Sequence, residues 1–167
     1  TGETFDELGK TARRVAKETE FTAKQAAEGM GFFAMAGFDA KQTMAALKPA
    51  TVLASTGFID LGRAADIVTN ILSGFGKGFD ELDSSIDVLI KTATSSNTTV
   101  DMLGESMSYV APVAKSFGIS FEETAAAVGL LGDAGIQASR AGTNLRMVIG
   151  KLAKPTDETA AIMERLG

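Results

Sequence analysis

The sequence contains no cysteine, no histidine and no tryptophan, and it has only one tyrosine. Without a thiolate or an imidazole, the chain cannot supply a zinc cluster, a haem ligand, a Cys-His nucleophile pair or a Ser-His-Asp triad. Because Trp and Tyr dominate binding hot spots, their scarcity also argues against recognition through rigid aromatic anchors. These absences exclude most enzyme classes, and we expect no catalytic, cofactor-binding or metal-binding residues.

Basic residues are also few, with 16 Lys and Arg against 21 Asp and Glu and a net charge of −5. Since nucleic-acid binding normally needs a basic stripe, we expect no specific nucleic-acid binding. No apolar run reaches the 18 residues expected of a membrane span, and no signal-peptide pattern opens the chain. The chain begins at Thr1 rather than at a methionine, which we interpret as a fragment of a longer protein or a processed product.

Apolar residues recur at helical spacing, whereas strict alternation and the hairpin dipeptides Asn-Gly and Asp-Gly are absent. At 167 residues, the chain suits a single domain. The pattern predicts an all-α fold, a compact bundle of about nine short helices. The predicted helices span about 4–18, 22–36, 39–55, 60–75, 79–95, 99–117, 120–133, 139–152 and 156–166.

Two prolines fall inside predicted helices, where proline removes one backbone hydrogen bond and crowds the preceding turn. We therefore expect the third helix to break near Lys48, before Pro49. The sixth helix should bend near Tyr109, before Pro112.

A repeated turn pattern separates the helices: Gly, then a large apolar residue, then a residue that can cap the next helix. The five instances are Gly37-Phe38-Asp39, Gly57-Phe58-Ile59-Asp60, Gly78-Phe79-Asp80, Gly118-Ile119-Ser120, and Gly135-Ile136 followed by Ser139. Gly adopts the left-handed conformation past a helix end, and the apolar residue folds back onto the last turn. Asp or Ser then accepts the free N–H groups of the following helix. The pattern predicts five sharp chain reversals, with positive φ at Gly37, Gly57, Gly118 and Gly135.

The order of helices and turns over 22–71 is similar to that over 99–149, and both third helices carry Arg-Ala, at Arg63 and at Arg140. One interpretation is a duplicated three-helix unit. The other is that repeated capping chemistry alone produces the likeness.

Two segments have the composition of a chemical site, and each has a simpler interpretation. The stretch Gly74 to Gly78 resembles a phosphate loop but lacks the Ser or Thr after its Lys, so a helix–helix turn is favoured. The carboxylates Glu122-Glu123 and Asp80-Glu81-Asp83 fall in first helical turns, where anions stabilise the helix dipole. Nothing local would bury them and shift a pKa toward acid–base catalysis.

Two further segments could form contact surfaces. The first helix carries a basic face. The favoured interpretation is a solvated surface, and the alternative is a contact for an anionic partner or a lipid headgroup. That face consists of Lys10, Arg13, Arg14 and Lys17. The charge-free stretch 29–38 is rich in Met, Phe and Gly, and we favour core over an adaptable binding surface.

Several long strings resemble the core region of the phage tail tape measure proteins of the TP901 type. They include Ala34-Met35-Ala36-Gly37-Phe38-Asp39-Ala40, Leu61-Gly62-Arg63-Ala64-Ala65-Asp66-Ile67, Tyr109-Val110-Ala111-Pro112-Val113-Ala114, Asp133-Ala134-Gly135-Ile136 and Ser139-Arg140-Ala141-Gly142-Thr143. The resemblance covers 20–167, which we interpret as the tape measure core helical domain. Residues 1–19 form an N-terminal helix that matches weakly.

The resemblance implies a structural, non-enzymatic tail protein that sets tail length during assembly and is released on infection. It implies a place in the lumen of the tail tube in the virion, and in the host cytoplasm during assembly. The implied partners are tail tube and tail hub proteins, tail assembly chaperones and further copies of the chain. An alternative is a membrane-active module that contacts the host membrane and aids genome passage. A muralytic enzyme is a third reading, which the missing His and Cys disfavour.

Overall fold

A computed structural model describes residues 2–154, 160, 162, 164 and 165, and these form an all-α bundle. Over 2–154 the fold prediction is confirmed, since each of the first eight predicted helices lies on one observed helix. The ninth, 156–166, falls largely outside the described residues. The helices are α1 (Gly2–Glu18), α2 (Ala23–Met35), α3 (Ala40–Gly57), α4 (Leu61–Phe75), α5 (Leu82–Ser95), α6 (Val100–Ser116), α7 (Phe121–Asp133) and α8 (Ala138–Ala153), with a 3-10 turn at Phe79–Glu81 before α5.

Helix α4 lies at the centre of the bundle, in contact with α2, α3, α5 and α6. Nine of its 15 residues are buried, more than in any other described helix. Small residues permit this close packing, because a Cβ added at Gly104 of α6 would meet Ile67 of α4 at 2.6 Å. Helix α4 is an amphipathic helix with a wide buried stripe, and its polar residues Arg63, Asn70 and Ser73 lie on one exposed side.

Four of the described helices, α2, α3, α6 and α7, begin with a polar side chain that accepts a hydrogen bond from an otherwise unpaired backbone N–H. Capping boxes start α2 at Thr22, α3 at Asp39 and α7 at Ser120. Three expected caps differ in the structure. Asp80 lies within the 3-10 turn Phe79–Glu81, and Glu81 occupies the cap position of α5 without a side-chain cap bond. Asp60 occupies the cap position of α4 but accepts instead from the side chain of Gln25, at 3.2 Å. Ser139 lies inside α8, whose cap position is held by Gln137.

Five helices end in the same reversal, in which two consecutive backbone N–H groups bond back to two neighbouring carbonyls of the last helical turn. At the end of α6, Ile119 N–H donates to Ala114 O at 2.9 Å and Gly118 N–H donates to Lys115 O at 3.1 Å. Gly118 has φ 71°, a conformation that costs residues with a Cβ about 1–2 kcal/mol. The left-handed residues of the five turns are Gly37, Phe58, Gly76, Gly118 and Gly135.

Two of the five turns differ from the prediction. Gly57 is the last residue of α3, and the left-handed position falls on Phe58 at φ 52°. Gly57 is instead required by packing, since a Cβ there would meet Val100 at 2.9 Å. The turn after α4 uses Gly76 at φ 70°, whereas Gly78 has φ −99° and precedes the 3-10 turn. Spacing alone could not separate neighbouring candidates for one left-handed position.

The expected break at Pro49 is wrong, because α3 continues from Ala40 to Gly57. Proline removes the bond to the carbonyl four residues earlier, which here belongs to exposed Ala45, so water can satisfy it. Pro112 of α6 has the same arrangement with exposed Ser108. Helix α6 is continuous past Tyr109, and the bend there stays a prediction.

The two halves of the bundle share a packing scheme. Helix α1 packs on α2 and α3, and α2 packs on α4; correspondingly, α5 packs on α6 and α7, and α6 packs on α8. In the first half, Gly29 of α2 approaches Leu61 of α4. In the second half, Ser106 of α6 donates to Ala138 O of α8 at 2.8 Å. Ser106 stands 77 positions after Gly29, and Ala138 stands 77 positions after Leu61. These contacts favour a four-helix unit over the three-helix unit. The duplication itself stays a prediction.

Replacing Gly118 by Ala should destabilise the fold by about 1 kcal/mol, because Ala is strained at positive φ and no neighbouring atom lies within 4 Å to add a clash. A thermal melt should show a fall of about 2–4 °C. The control is Gly31→Ala in α2, where the site is open and Ala is the better helix former, so the melting temperature should hold or rise. If Gly118→Ala melted at the same temperature as wild type or higher, as the Gly31→Ala control should, the turn assignment would be contradicted.

Replacing Gly142 by Ala should be more damaging, because its Cβ would overlap the backbone of Ser106 and force α6 and α8 apart. Overpacking of this kind costs about 1–3 kcal/mol or more. Gly150→Ala is the matched control on the same helix, with nothing within 4 Å, and should be neutral or stabilising. Chemical denaturation of both variants measures the difference, and equal free energies of unfolding would refute the close approach.

Candidate functional site

An open cleft of about 650 Å³ lies where the α1–α2 loop, the α3–α4 turn and the start of α6 meet. We call it the Phe58 cleft. Its lining residues are Glu20, Phe21, Ser55, Phe58, Ile59, Asp60, Arg63 and Asp101. Buried Phe21 forms part of its floor, while the Phe58 side chain is 97% exposed.

Phe58 combines an exposed aromatic ring with an unfavourable backbone. Its φ and ψ of 52° and 41° are left-handed, and its N–H and that of Ile59 bond back to Ser55 O and Ala54 O. The other four turns of this kind in the described residues place Gly at the same position. Among the described residues the ring is almost unburied, so packing of the ring does not offset the cost of its left-handed backbone.

Hydrogen bonds between helices hold the polar rim of the cleft. Ser55 Oγ donates to the Glu20 carboxylate, and this bond lowers the pKa of Glu20. Arg63 of α4 donates to Asp101 of α6 at 2.7 Å and to Asp66 at 2.8 Å. The cleft lining carries three carboxylates and a single guanidinium, so its charge is negative.

The segment Gly74 to Gly78 forms a helix–helix turn, with its Lys engaged in ion pairs. Lys77 Nζ lies 2.9 Å from Glu81 Oε1 and 3.3 Å from Glu122 Oε1, which joins the turn to α7. The bond to Glu81 is the main cause of a raised Lys77 pKa, and it lowers the pKa of Glu81. A phosphate-binding lysine would need this ammonium group free.

Two of the clustered carboxylates, Glu81 and Glu123, accept backbone N–H bonds at helix starts, from Gly78 and Ser120. The pKa of Glu123 is lowered, first by the backbone N–H of Ser120 and then by its hydroxyl. A general acid at neutral pH needs the opposite shift, which burial would supply. Among residues 2–154 and the described positions beyond, no three acidic side chains converge in a way that could hold a metal ion.

The two candidate contact segments divide between core and surface. All four basic residues of the α1 face are exposed. In the charge-free stretch 29–38, Met30 and Phe33 are buried and Phe33 stacks on Phe38 at 5.6 Å, whereas Met35 is 76% exposed. The stretch is therefore core on its inward side only. No helix in the described part of the chain is long and apolar enough to cross a bilayer.

A second surface feature escaped the sequence analysis, because its residues repeat at ordinary helical spacing. Helix α8 buries only three residues, in contrast to the nine of α4. Its exposed surface carries three large apolar residues that are about half exposed, together with three exposed basic residues. These are Met147, Val148, Leu152, Arg140, Arg146 and Lys151. We call this surface the α8 face.

Comparison with known proteins identifies relatives along nearly the whole chain. The chain is 37% identical over 169 aligned positions to the tape measure protein of Pneumococcus phage Dp-1, covering 99% of this chain and 15% of that protein. It is 34% identical over 160 positions to the probable tape measure protein of Escherichia phage P2, covering 96% of this chain and 20% of that protein. The chain thus spans a fifth or less of these relatives. No solved structure matches.

The resemblance inferred from the sequence is confirmed by these relatives. A family model described as phage-related minor tail protein matches residues 9–167, which includes all of the helices from α2 to α8. The chain belongs to the family of phage-related minor tail proteins.

Proposed function

We propose that this chain is a compact, non-enzymatic module of a tape measure protein, in which it acts through protein–protein contacts. The observation that carries the proposal is that a chain with tape measure relatives folds into short helices, and that tight turns reverse the chain between them. A length ruler extends by about 1.5 Å per helical residue, so 167 residues in one helix would reach roughly 250 Å. The longest helix here, α3, has 18 residues and reaches only about 27 Å. This module is therefore not the measuring segment of the parent protein.

The proposed unit comprises 20–167 with the helix of 1–19 packed on it. Its proposed partners are tail tube and tail hub proteins, tail assembly chaperones and further copies of itself. Its proposed place is the lumen of the tail tube, after assembly in the host cytoplasm. Support comes from its surface, where isolated large apolar side chains remain exposed and available to other chains. They include Phe58, Leu130, Met147, Val148 and Leu152.

In-frame removal of residues 20–153 from the parent gene should abolish tail assembly or infection, because a contact module would be lost. Electron microscopy of lysates and plaque counts measure the outcome. The control is a deletion of equal length in a predicted long-helix region of the same gene, which should shorten the tail. A viable phage whose tail shortens in proportion to the residues removed from 20–153 would contradict the proposal.

The membrane-active alternative has one feature in its favour, the exposed basic face of α1, which would suit anionic headgroups. We expect the purified chain to leave dye-loaded anionic liposomes intact at neutral and mildly acidic pH, because its apolar stripes are packed in the bundle. The control is a variant with Arg13→Glu and Arg14→Glu, which should behave identically. Leakage that the control variant loses would favour the membrane role instead.

A further inference from the structure

The turn that contains Phe58 has an internal comparison in the second half of the chain. Gly135 follows α7 as Phe58 follows α3, with the same pair of backbone bonds and with Ile next in sequence. The chain therefore makes this reversal with glycine in one half and with a strained phenylalanine in the other. Since the ring is 97% exposed, it is available for a contact with another chain.

The α8 face is another exposed surface, and it has no partner among the described residues. Helices α2, α3, α5 and α6 all pack on α4, whereas α8 packs on α6 and α7, and its outward side is open in the part of the chain that the structure describes. No acidic residue occurs anywhere in α8. The α8 face is therefore both apolar and positively charged.

We propose that the Phe58 cleft of one copy binds the α8 face of a second copy. This inference rests on the proposed self-association and names the surfaces that carry it. The two surfaces share no residue and differ in charge, negative in the cleft and positive on α8. An asymmetric contact of this kind leaves one cleft and one α8 face free, so copies add head to tail.

The chemistry of the two surfaces matches in two respects. The Phe58 ring would be covered by Met147, Val148 and Leu152, and a thioether is a favourable neighbour for an aromatic ring. Around that contact, Arg140 and Lys151 would approach the carboxylates of the cleft, which gives the pair its register. A symmetric contact between two α8 faces would place like charges together, which disfavours that arrangement.

Sedimentation velocity of the 167-residue chain over a concentration series tests the contact. We expect association in low salt, about 0.05 M, and weaker association at about 0.5 M, because exposed charge pairs are screened. Wild-type chain that stays monomeric at every concentration would overturn this inference and the proposed self-association together. The proposed tail role would still be decided separately by the phage deletion.

Phe58→Gly separates the contact from the fold. Glycine suits the left-handed position, so the variant should melt at an equal or higher temperature and yet associate at least tenfold more weakly. The matched control is Phe5→Ala, which removes another exposed phenylalanine, 77% exposed on α1, and should associate as wild type. Association of Phe58→Gly at wild-type strength would overturn the inference and leave the proposed self-association standing.

The double variant Met147→Glu, Val148→Glu blocks the other surface, and Leu130→Glu on α7 is its control. Circular dichroism verifies folding, and Lys151→Glu provides a milder second variant on the same face. Mixed in equal amounts, Phe58→Gly and the α8 double variant should form a heterodimer and nothing larger, because one intact cleft and one intact face remain. A mixture that forms no heterodimer would overturn the head-to-tail contact. The contact would also be overturned if the α8 double variant alone lost association while Phe58→Gly associated as wild type.

Discussion

The structure depends on how its helices end. A helix leaves its last carbonyl groups unpaired, and in this chain five helices satisfy them with the same pair of backward N–H bonds. Each of these turns reverses the chain within a few residues and presents an apolar side chain or a cap to the next helix. Short helices therefore pack on one another instead of extending, and a single compact core becomes possible.

The core formed in this way depends on helices that approach one another closely at glycines, rather than on large side chains. Gly104 against Ile67 and Gly142 against Ser106 bring helix axes nearer than any larger residue would permit. Interiors are packed to near-crystalline density, so such contacts leave little tolerance for a methyl group. The glycines of this chain thus have two separate roles, one in turns at positive φ and one in helix–helix contacts.

The polar groups of the surface are arranged for structure and for contact. Lys77, Glu81 and Glu123 all take part in ion pairs or caps that keep them ionised, which is unsuited to acid–base chemistry. What the surface offers is a negatively charged cleft around an exposed ring and a positively charged apolar helix face. A family whose members are structural tail proteins is consistent with surfaces of this type.

Local sequence determined the helices and the capping boxes at Asp39 and Ser120, because propensity, capping and spacing are short-range properties. The family followed from a resemblance of long residue strings. The tertiary structure decided the rest. Residue 57 must lack a side chain because of Val100, which lies 43 residues away in the sequence, and the left-handed position falls on Phe58. The continuity of α3 through Pro49 depends on the exposure of Ala45, and the openness of α8 depends on which helices pack around it. Each of these is a long-range contact, and a pattern read along one segment carries no information on what packs against it.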